Sequence, residues 1–167
     1  MDYKNFLIYH IHDKALRHLA SKYLSGILLD IGCGEKPYSK LLSGIVDKHV
    51  GVDHIDTQHD KSFIDLYGTA YSIPVEDEAF DSVLCTAVLE HLEEPNIAVK
   101  ETFRVLKQGG VAIYSVPFFW YLHEESRDFY RFTKYGLEHL FRSNGFQVIV
   151  IKPLSGFWVT FGTMFGY

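Results

Sequence analysis

The sequence predicts a doubly wound α/β domain, a mainly parallel sheet with helices on both faces and a C-terminal strand that need not be complete. Three observations carry this. Short apolar runs of strand type alternate with segments of helical spacing, the pattern of successive strand–helix–strand units. The first run, Ile27-Leu28-Leu29-Asp30-Ile31, enters the tight turn Gly32-Cys33-Gly34, as a buried parallel strand does where it leaves the sheet. The chain of 167 residues has the size of one domain, and its 47% hydrophobic and 22% charged residues exclude disorder for most of its length.

Each element has its own signal. Phe6 to Tyr23 carries Ile8, Ile11, Ala15 and Leu19 at helical spacing. Ile27–Ile31 is the first strand, and Tyr38 to Leu42 is a short helix with Pro37 near its start. His49 to Asp53 reads as a second strand, Phe63 to Asp65 as a short third and Phe80 to Thr86 as a fourth. Asn96 to Leu106 is a helix with Ile97, Val99, Phe103 and Leu106 on one stripe, stopped by Gly109-Gly110. Val111 to Val116 is the fifth strand. Thr133 caps a helix whose Leu137, Leu140 and Phe141 share a face, and Asn144-Gly145 ends it. Phe146 to Ile151 is expected as a sixth strand. The tail, Pro153 to Tyr167, has no charged residue; it is a last strand, a contact between copies in a homodimer, or the cut edge of a longer protein.

Composition narrows the function classes. Sixteen Lys+Arg against 21 Asp+Glu give a net charge of −5, which argues against a nucleic-acid partner. Two cysteines, Cys33 and Cys85, are too few for a disulfide framework or a four-thiolate zinc site, so reduced thiols and a cytoplasmic setting are expected. No secretory signal is visible, and the apolar stretch Val111 to Leu122 is interrupted by Pro117 and too short to span a bilayer. The histidines outside the motifs show no ligand spacing; His54, Asp56, His59 and Asp60 read as a solvated loop, and no metal is expected.

Chemistry concentrates where the strands end. In an open parallel sheet, ligands bind beyond the carboxyl ends of the strands. The glycine bend Gly32-Cys33-Gly34 lets backbone approach a ligand closely. A dinucleotide fingerprint would place a third glycine where Pro37 stands, and Asp30 beside the bend repels a pyrophosphate while suiting a cation such as a methionine-derived sulfonium. Asp53 ends the next strand, 19 residues past Gly34, where an acid can accept both ribose hydroxyls of a nucleoside.

With these residues in place, the sequence resembles the class I methyltransferases that use S-adenosylmethionine, in particular the group called methyltransferase type 11. The resemblance covers roughly residues 26 to 156. Leu29-Asp30-Ile31-Gly32-Cys33-Gly34 resembles the first motif and Val52-Asp53 the second. Ile73-Pro74-Val75-Glu76-Asp77-Glu78-Ala79-Phe80-Asp81, Val88-Leu89-Glu90-His91 and Arg104-Val105-Leu106-Lys107-Gln108-Gly109-Gly110 are similar to the later ones, in the family's order. It implies a Rossmann-like fold over a single domain, 1–167: an N-terminal helix in 1–25, a cofactor-binding half in 26–116, and a substrate-side loop, helix and last strands in 117–167. It further implies that Asp30, Gly32, Cys33 and Gly34 hold the methionine portion, that Asp53 takes the ribose, that Thr69 and Ala70 lie by the adenine, and that Cys85 and Thr86 (with Ala87) line the floor under the sulfonium. Thr69 stands where the family usually has Asp, and Asp65 is a candidate substitute. The reaction implied is in-line transfer of methyl from S-adenosylmethionine, leaving S-adenosylhomocysteine.

The acceptor side has two candidate sources. Glu90-His91 follows the fourth strand, and His91 is either a general base or a structural hydrogen bonder of that loop. The stretch Pro117 to Thr133 resembles a loop found in a subgroup of the family associated with cell-surface glycan and lipid functions, with Ser126 where a Pro is expected. Within it His123, Asp128, Tyr130 and Arg131 stand out as catalytic candidates. Arg131 either holds an anionic group of the substrate or pairs with Asp128 or a glutamate, and Tyr130 can be packing. A small-molecule or lipid- or glycan-linked acceptor is expected. The alternatives are a non-catalytic S-adenosylmethionine-binding partner or sensor and, further off, a nicotinamide oxidoreductase.

Overall fold

The computed structural model describes residues 6–57, 59–156 and 160. In chain order the elements are α1 (Phe6–Tyr23), β1 (Ile27–Ile31), α2 (Ser39–Leu42), β2 (Lys48–Asp53), β3 (Leu66–Tyr67), β4 (Phe80–Thr86), α3 (Pro95–Val105), β5 (Leu106–Ser115) and α4 (Lys134–Ser143). Two 3-10 turns, Lys61–Phe63 and Leu89–His91, precede β3 and follow β4.

The five strands form one sheet in the order β3-β2-β1-β4-β5, and every pairing is parallel. The order reverses between β1 and β4, so their carboxyl ends open a crevice, the place where such sheets bind ligands. Alternation along β1 decides the two halves of the core. Leu29 and Ile31 join Val50, Val52, Val83 and Val105 on the α3 side, whereas Leu28 joins Leu84, Ile113, α1's Leu16 and Ala20, and Leu24 just past α1 on the other. Each of these leucines is at most 6% exposed, and burial of one contributes about 1.5–3 kcal/mol.

The expected element types hold from α1 to β2, and at β4, α3 and α4. Thr133 caps α4 as expected, its Oγ1 accepting from Gly136 N at 3.0 Å. The third strand falls later than expected, at Leu66–Tyr67 rather than Phe63–Asp65. Asp60 captures Ser62 N at 2.9 Å and winds Lys61–Phe63 into a 3-10 turn, so ladder bonds begin only when Asp65 N reaches Gly51 O at 3.0 Å. The end of α3 also moves. The helix stops at Val105 and β5 begins at once, with Leu106 opposite Phe80 but Val111 opposite Ser82, so Lys107–Gly110 bulges out of the ladder.

Among the described residues the expected sixth strand has no partner. Phe146 to Ile151 joins no ladder and faces β5 across a cavity of about 1000 Å³ lined by Ala112, Ile113, Phe141 and Val148 among others. Phe146 packs edge-on against Phe103 and Phe141, with ring centroids 5.2 and 5.6 Å apart, and this anchorage to α3 and α4 holds the segment away from the β5 edge. The apolar tail and the homodimer contact expected of it fall mostly on 157–159 and 161–167, outside the described residues. Among the described residues no helix is long and apolar enough to cross a membrane.

Candidate active site at the carboxyl edge of the sheet

The bend after β1 needs glycine for a stated reason. Gly32 has φ +67°, and a Cβ there would lie 2.4 Å from Val88 Cγ2 in the loop after β4. Gly32 and Cys33 both donate to Val52 O, at 2.9 and 3.2 Å, and Gly34 N donates to Asp53 Oδ2 at 3.0 Å. Asp53 thus ties the bend to the end of β2. Its other oxygen, Oδ1, accepts from His54 N at 2.8 Å, and each oxygen keeps a lone pair for a ligand hydroxyl.

Asp30 lies beneath the bend, 2% exposed, with Oδ2 bonded to His49 Nε2 at 2.8 Å. Burial pushes its carboxyl above the usual range, and the His49 pair opposes that rise. Its charge therefore reaches the crevice from below rather than through an open face. Cys33 points inward as well, its Sγ 3.6 Å from Gly34 O, and burial beside Asp30 and Asp53 pushes its thiol up to about 12. Only the backbone of Cys33 is placed to meet a ligand. Cys85, expected in the cofactor floor, is 2% exposed and packs in the core beneath the strand end, with a thiol driven far upward by burial. Thr86, by contrast, is half-buried at the strand end, near Tyr38. Ala87 beside it has φ +52°, a strained value of the kind that gathers at functional sites.

Thr69 is exposed, and its Oγ1 accepts from Tyr71 N at 3.3 Å within its own turn; Ala70 is half-buried against the core. Asp65, the candidate substitute carboxylate, bonds Lys36 Nζ and accepts from Gly51 N at 2.7 Å, both through Oδ2.

These residues fit a cationic nucleoside better than a diphosphate. Two carboxylates, Asp30 and Asp53, flank the bend, and the nearby cation Lys36 is tied to Asp65 and to His49 O. The helix after the bend starts only at Ser39, without a side-chain cap, so no helix N-terminus aims at the seat as in a phosphate site.

The acceptor side is built by the loop after β5 folding onto the Leu89–His91 turn. Phe129 N and Tyr130 N both donate to Glu90 O, at 2.9 and 3.2 Å, Tyr130 Oη donates to Glu93 O at 3.0 Å, and His91 Nδ1 bonds Arg127 O at 2.8 Å. Arg131 meets Asp128 bidentately at 2.5 and 2.7 Å and also donates to the carbonyls of Trp120, Tyr121 and Tyr130. All five guanidinium N–H groups are used in this way, which leaves none for a substrate anion. Of the two readings of Arg131, the structure forms the ion pair. Asp128 is held well below the usual carboxylate range by Arg131, and it also accepts from His123 N at 3.1 Å. The clamp sets His123 against His91, with ring centroids 4.8 Å apart.

The placement of His12 had no sequence signal, and the burial of Glu90, though its motif was visible, had none either. His12 of α1 bonds Ser115 Oγ at 2.9 Å and lies 3.4 Å from Tyr38 Oη, which brings the N-terminal helix to the same strand edge; burial lowers its pKa. Glu90 is 1% exposed, neither of its carboxylate oxygens has a hydrogen-bond partner among the described residues, and burial raises its pKa.

Residues 29–114, about half of the chain, match the model of a methyltransferase domain family. The chain belongs to that family. A probable S-adenosylmethionine-dependent methyltransferase of Mycolicibacterium smegmatis is 29% identical over 64% of this methyltransferase-domain chain and 44% of its own length. The mitochondrial ubiquinone biosynthesis O-methyltransferase of Bos taurus is 26% identical over 89% of this chain and 51% of its own. The chain thus spans about half the length of these two relatives. A candidate methyltransferase of Bacillus halodurans superposes with a TM-score of 0.68 at 20% identity, covering 81% of this chain and 69% of that one, which establishes the fold alone.

Proposed function

We propose that this chain transfers the methyl group of S-adenosylmethionine to a small-molecule or lipid- or glycan-linked acceptor, releasing S-adenosylhomocysteine. One observation carries the reading: a glycine bend flanked by two carboxylates, with Asp53 at the end of the adjacent strand, at the point where the strand order reverses. The backbone of Gly32, Cys33 and Gly34 holds the methionine portion, and Asp30 supplies negative charge beneath it. Asp53 takes the ribose hydroxyls, Thr69 and Ala70 border the adenine, and Thr86 stands under the sulfonium. Methyl transfer turns a sulfonium into a neutral thioether, so the chain's task is to align the nucleophile and exclude water.

Proton removal from a hydroxyl acceptor falls to His91 or His123, while Asp128, Tyr130 and Arg131 act as positioning residues that fix the loop. The rim of that loop is apolar, with Phe118 71% and Leu122 73% exposed, which supports a lipid-linked or aromatic acceptor. Relatives named for quinone methylation, in Bos taurus and Staphylococcus haemolyticus, support the same class. The two unpaired, buried cysteines agree with a cytoplasmic setting.

Calorimetric titration with S-adenosylmethionine and S-adenosylhomocysteine tests the seat, and release of S-adenosylhomocysteine over a panel of quinols, lipid-linked sugars and amines tests the reaction. Tight binding with turnover of one class is expected. Binding without turnover on any class favours a non-catalytic sensor, and preference for NAD overturns the proposal.

A further inference from the structure

Glu90, His91 and His123 bring one carboxylate oxygen and two imidazole nitrogens within 4.8 Å of one another. We infer that they bind a single divalent first-row metal ion, Zn²⁺ being the best suited, with coordination positions left open to water or to an oxygen of the acceptor.

Three observations carry this. The first is Glu90, a carboxylate that is 1% exposed with both oxygens unsatisfied among the described residues. A buried acid normally sits against a donor or a cation. The histidine beside it does not serve, since His91 Nε2 is 4.0 Å from Glu90 Oε1, beyond hydrogen-bond reach.

The second is the orientation of the imidazoles. His91 commits Nδ1 to Arg127 O at 2.8 Å, and His123 has Nδ1 3.1 Å from Tyr121 O and 3.3 Å from Asp128 Oδ2. In both rings Nε2 is left to offer its lone pair. Metal-bound histidines characteristically carry this arrangement, the far nitrogen donating to a carbonyl or carboxylate that fixes tautomer and ring angle. The Arg131–Asp128 clamp thereby gains a purpose that its closed hydrogen bonding denies it as a substrate anchor.

The third is access. Glu90 is sealed, whereas the side chains of His91 and His123 are 12% and 30% exposed, so the cluster is closed on one side and open on the other. Three protein ligands with an open side describe a catalytic rather than a structural site. Ligand atoms around a tetrahedral ion at ~2.1 Å stand ~3.4 Å apart, so donors now within 4.8 Å need to close by up to ~1.4 Å, which rotation of the two partly exposed imidazoles supplies. The N₂O donor set without thiolate suits Zn²⁺, Fe²⁺ or Mn²⁺ and not a soft ion.

The chemical role rests on the methyltransferase reading above. An acceptor hydroxyl bound to the ion loses its proton to solvent, its oxygen forms the bond to the methyl carbon, and the carbon–sulfur bond breaks with its electron pair left on sulfur. With the ion bound, His91 and His123 serve as its ligands, and the acidified hydroxyl replaces the proton removal assigned to them above in its absence.

The test is metal binding to the purified full chain after chelator treatment, read by calorimetry with Zn²⁺ and by visible absorption with Co²⁺. One ion per chain is expected, with His123→Ala and Glu90→Gln each weakening binding by more than ~100-fold, the upper range for loss of an outer-sphere partner. His139→Ala, at an exposed position on α4, leaves it unchanged. His123 lies on a partly exposed loop, so its variant reports even if Glu90→Gln unfolds. Absence of stoichiometric binding, or binding insensitive to His123→Ala, overturns the inference. S-adenosylmethionine titration of the same samples separates the two proposals: loss of metal binding alone sinks this one, and failure to bind S-adenosylmethionine alone sinks the previous one.

Discussion

Substituting Gly32 by Ala tests the architecture of the proposed seat at its tightest point. Two effects add. At φ +67° an L-residue costs about 1–2 kcal/mol relative to glycine. The new Cβ would also stand 2.4 Å from Val88 Cγ2 and 3.3 Å from Cγ1, an overpacking that costs about 1–3 kcal/mol. Gly32→Ala should therefore destabilise the fold by about 2–5 kcal/mol. The second effect can be removed separately, because in a Val88→Ala background the nearest atom of that residue is Cβ at 3.5 Å, an ordinary contact. In that background Gly32→Ala should cost only the backbone share, about 1–2 kcal/mol, which leaves a coupling of about 1–3 kcal/mol between the two positions. Urea unfolding of the four proteins, compared by midpoint at equal slope, measures the coupling. Equal costs in both backgrounds would show that the bend does not press on the loop after β4, and the joint between the first motif and the acceptor side would be wrong.

Asp53→Ala should weaken S-adenosylmethionine binding by about 1–3 kcal/mol, since a ligand hydroxyl and Gly34 N both lose their acceptor; titration calorimetry checks it, and unchanged affinity removes Asp53 from the seat. Arg131→Lys replaces a five-donor fork by a point charge and leaves Asp128, its side chain 2% exposed, without bidentate pairing. A loss of about 2 kcal/mol in stability and of acceptor turnover is expected, with S-adenosylmethionine affinity intact. Glu101, bonded to Arg104 at 2.7 and 2.8 Å and to Ile73 N at 2.7 Å, has a pKa lowered chiefly by Arg104. A depressed carboxylate stabilises the fold above its unfolded value and loses that contribution as pH falls through the folded one. The Tm gap between wild type and Glu101→Gln should thus be widest near neutrality, begin to narrow near the unfolded value of about 4.3 and close only once pH has fallen past the lower folded value, and a gap independent of pH would count against the pair.

Much of the chain was legible because its signals are local. Apolar spacing marked α1, β1, β4 and α4, Thr133 announced its cap, and the order of the motifs from Asp30 to Gly110 identified the family. The displaced third strand shows the limit: Asp60's bond to Ser62 N competes with strand pairing, and propensity does not reveal which wins. The sixth segment, 146–151, pairs with no strand among the described residues, where Phe146 packs on Phe103 and Phe141, a tertiary contact that a good β pattern does not reveal.

By itself the sequence determined the alternation of elements, the bend that only glycine can make, and the acids beside it, because these depend on side-chain period and on backbone sterics within a few residues. The tertiary structure alone decided the rest. It packed Cys85 into the core, gave all of Arg131's donors to its own loop, carried His12 to Ser115, and left Glu90 buried beside two histidines with no hydrogen-bond partner among the described residues. Those outcomes follow from which residues distant in the chain share a surface and how well water is excluded there, and no local spacing encodes either.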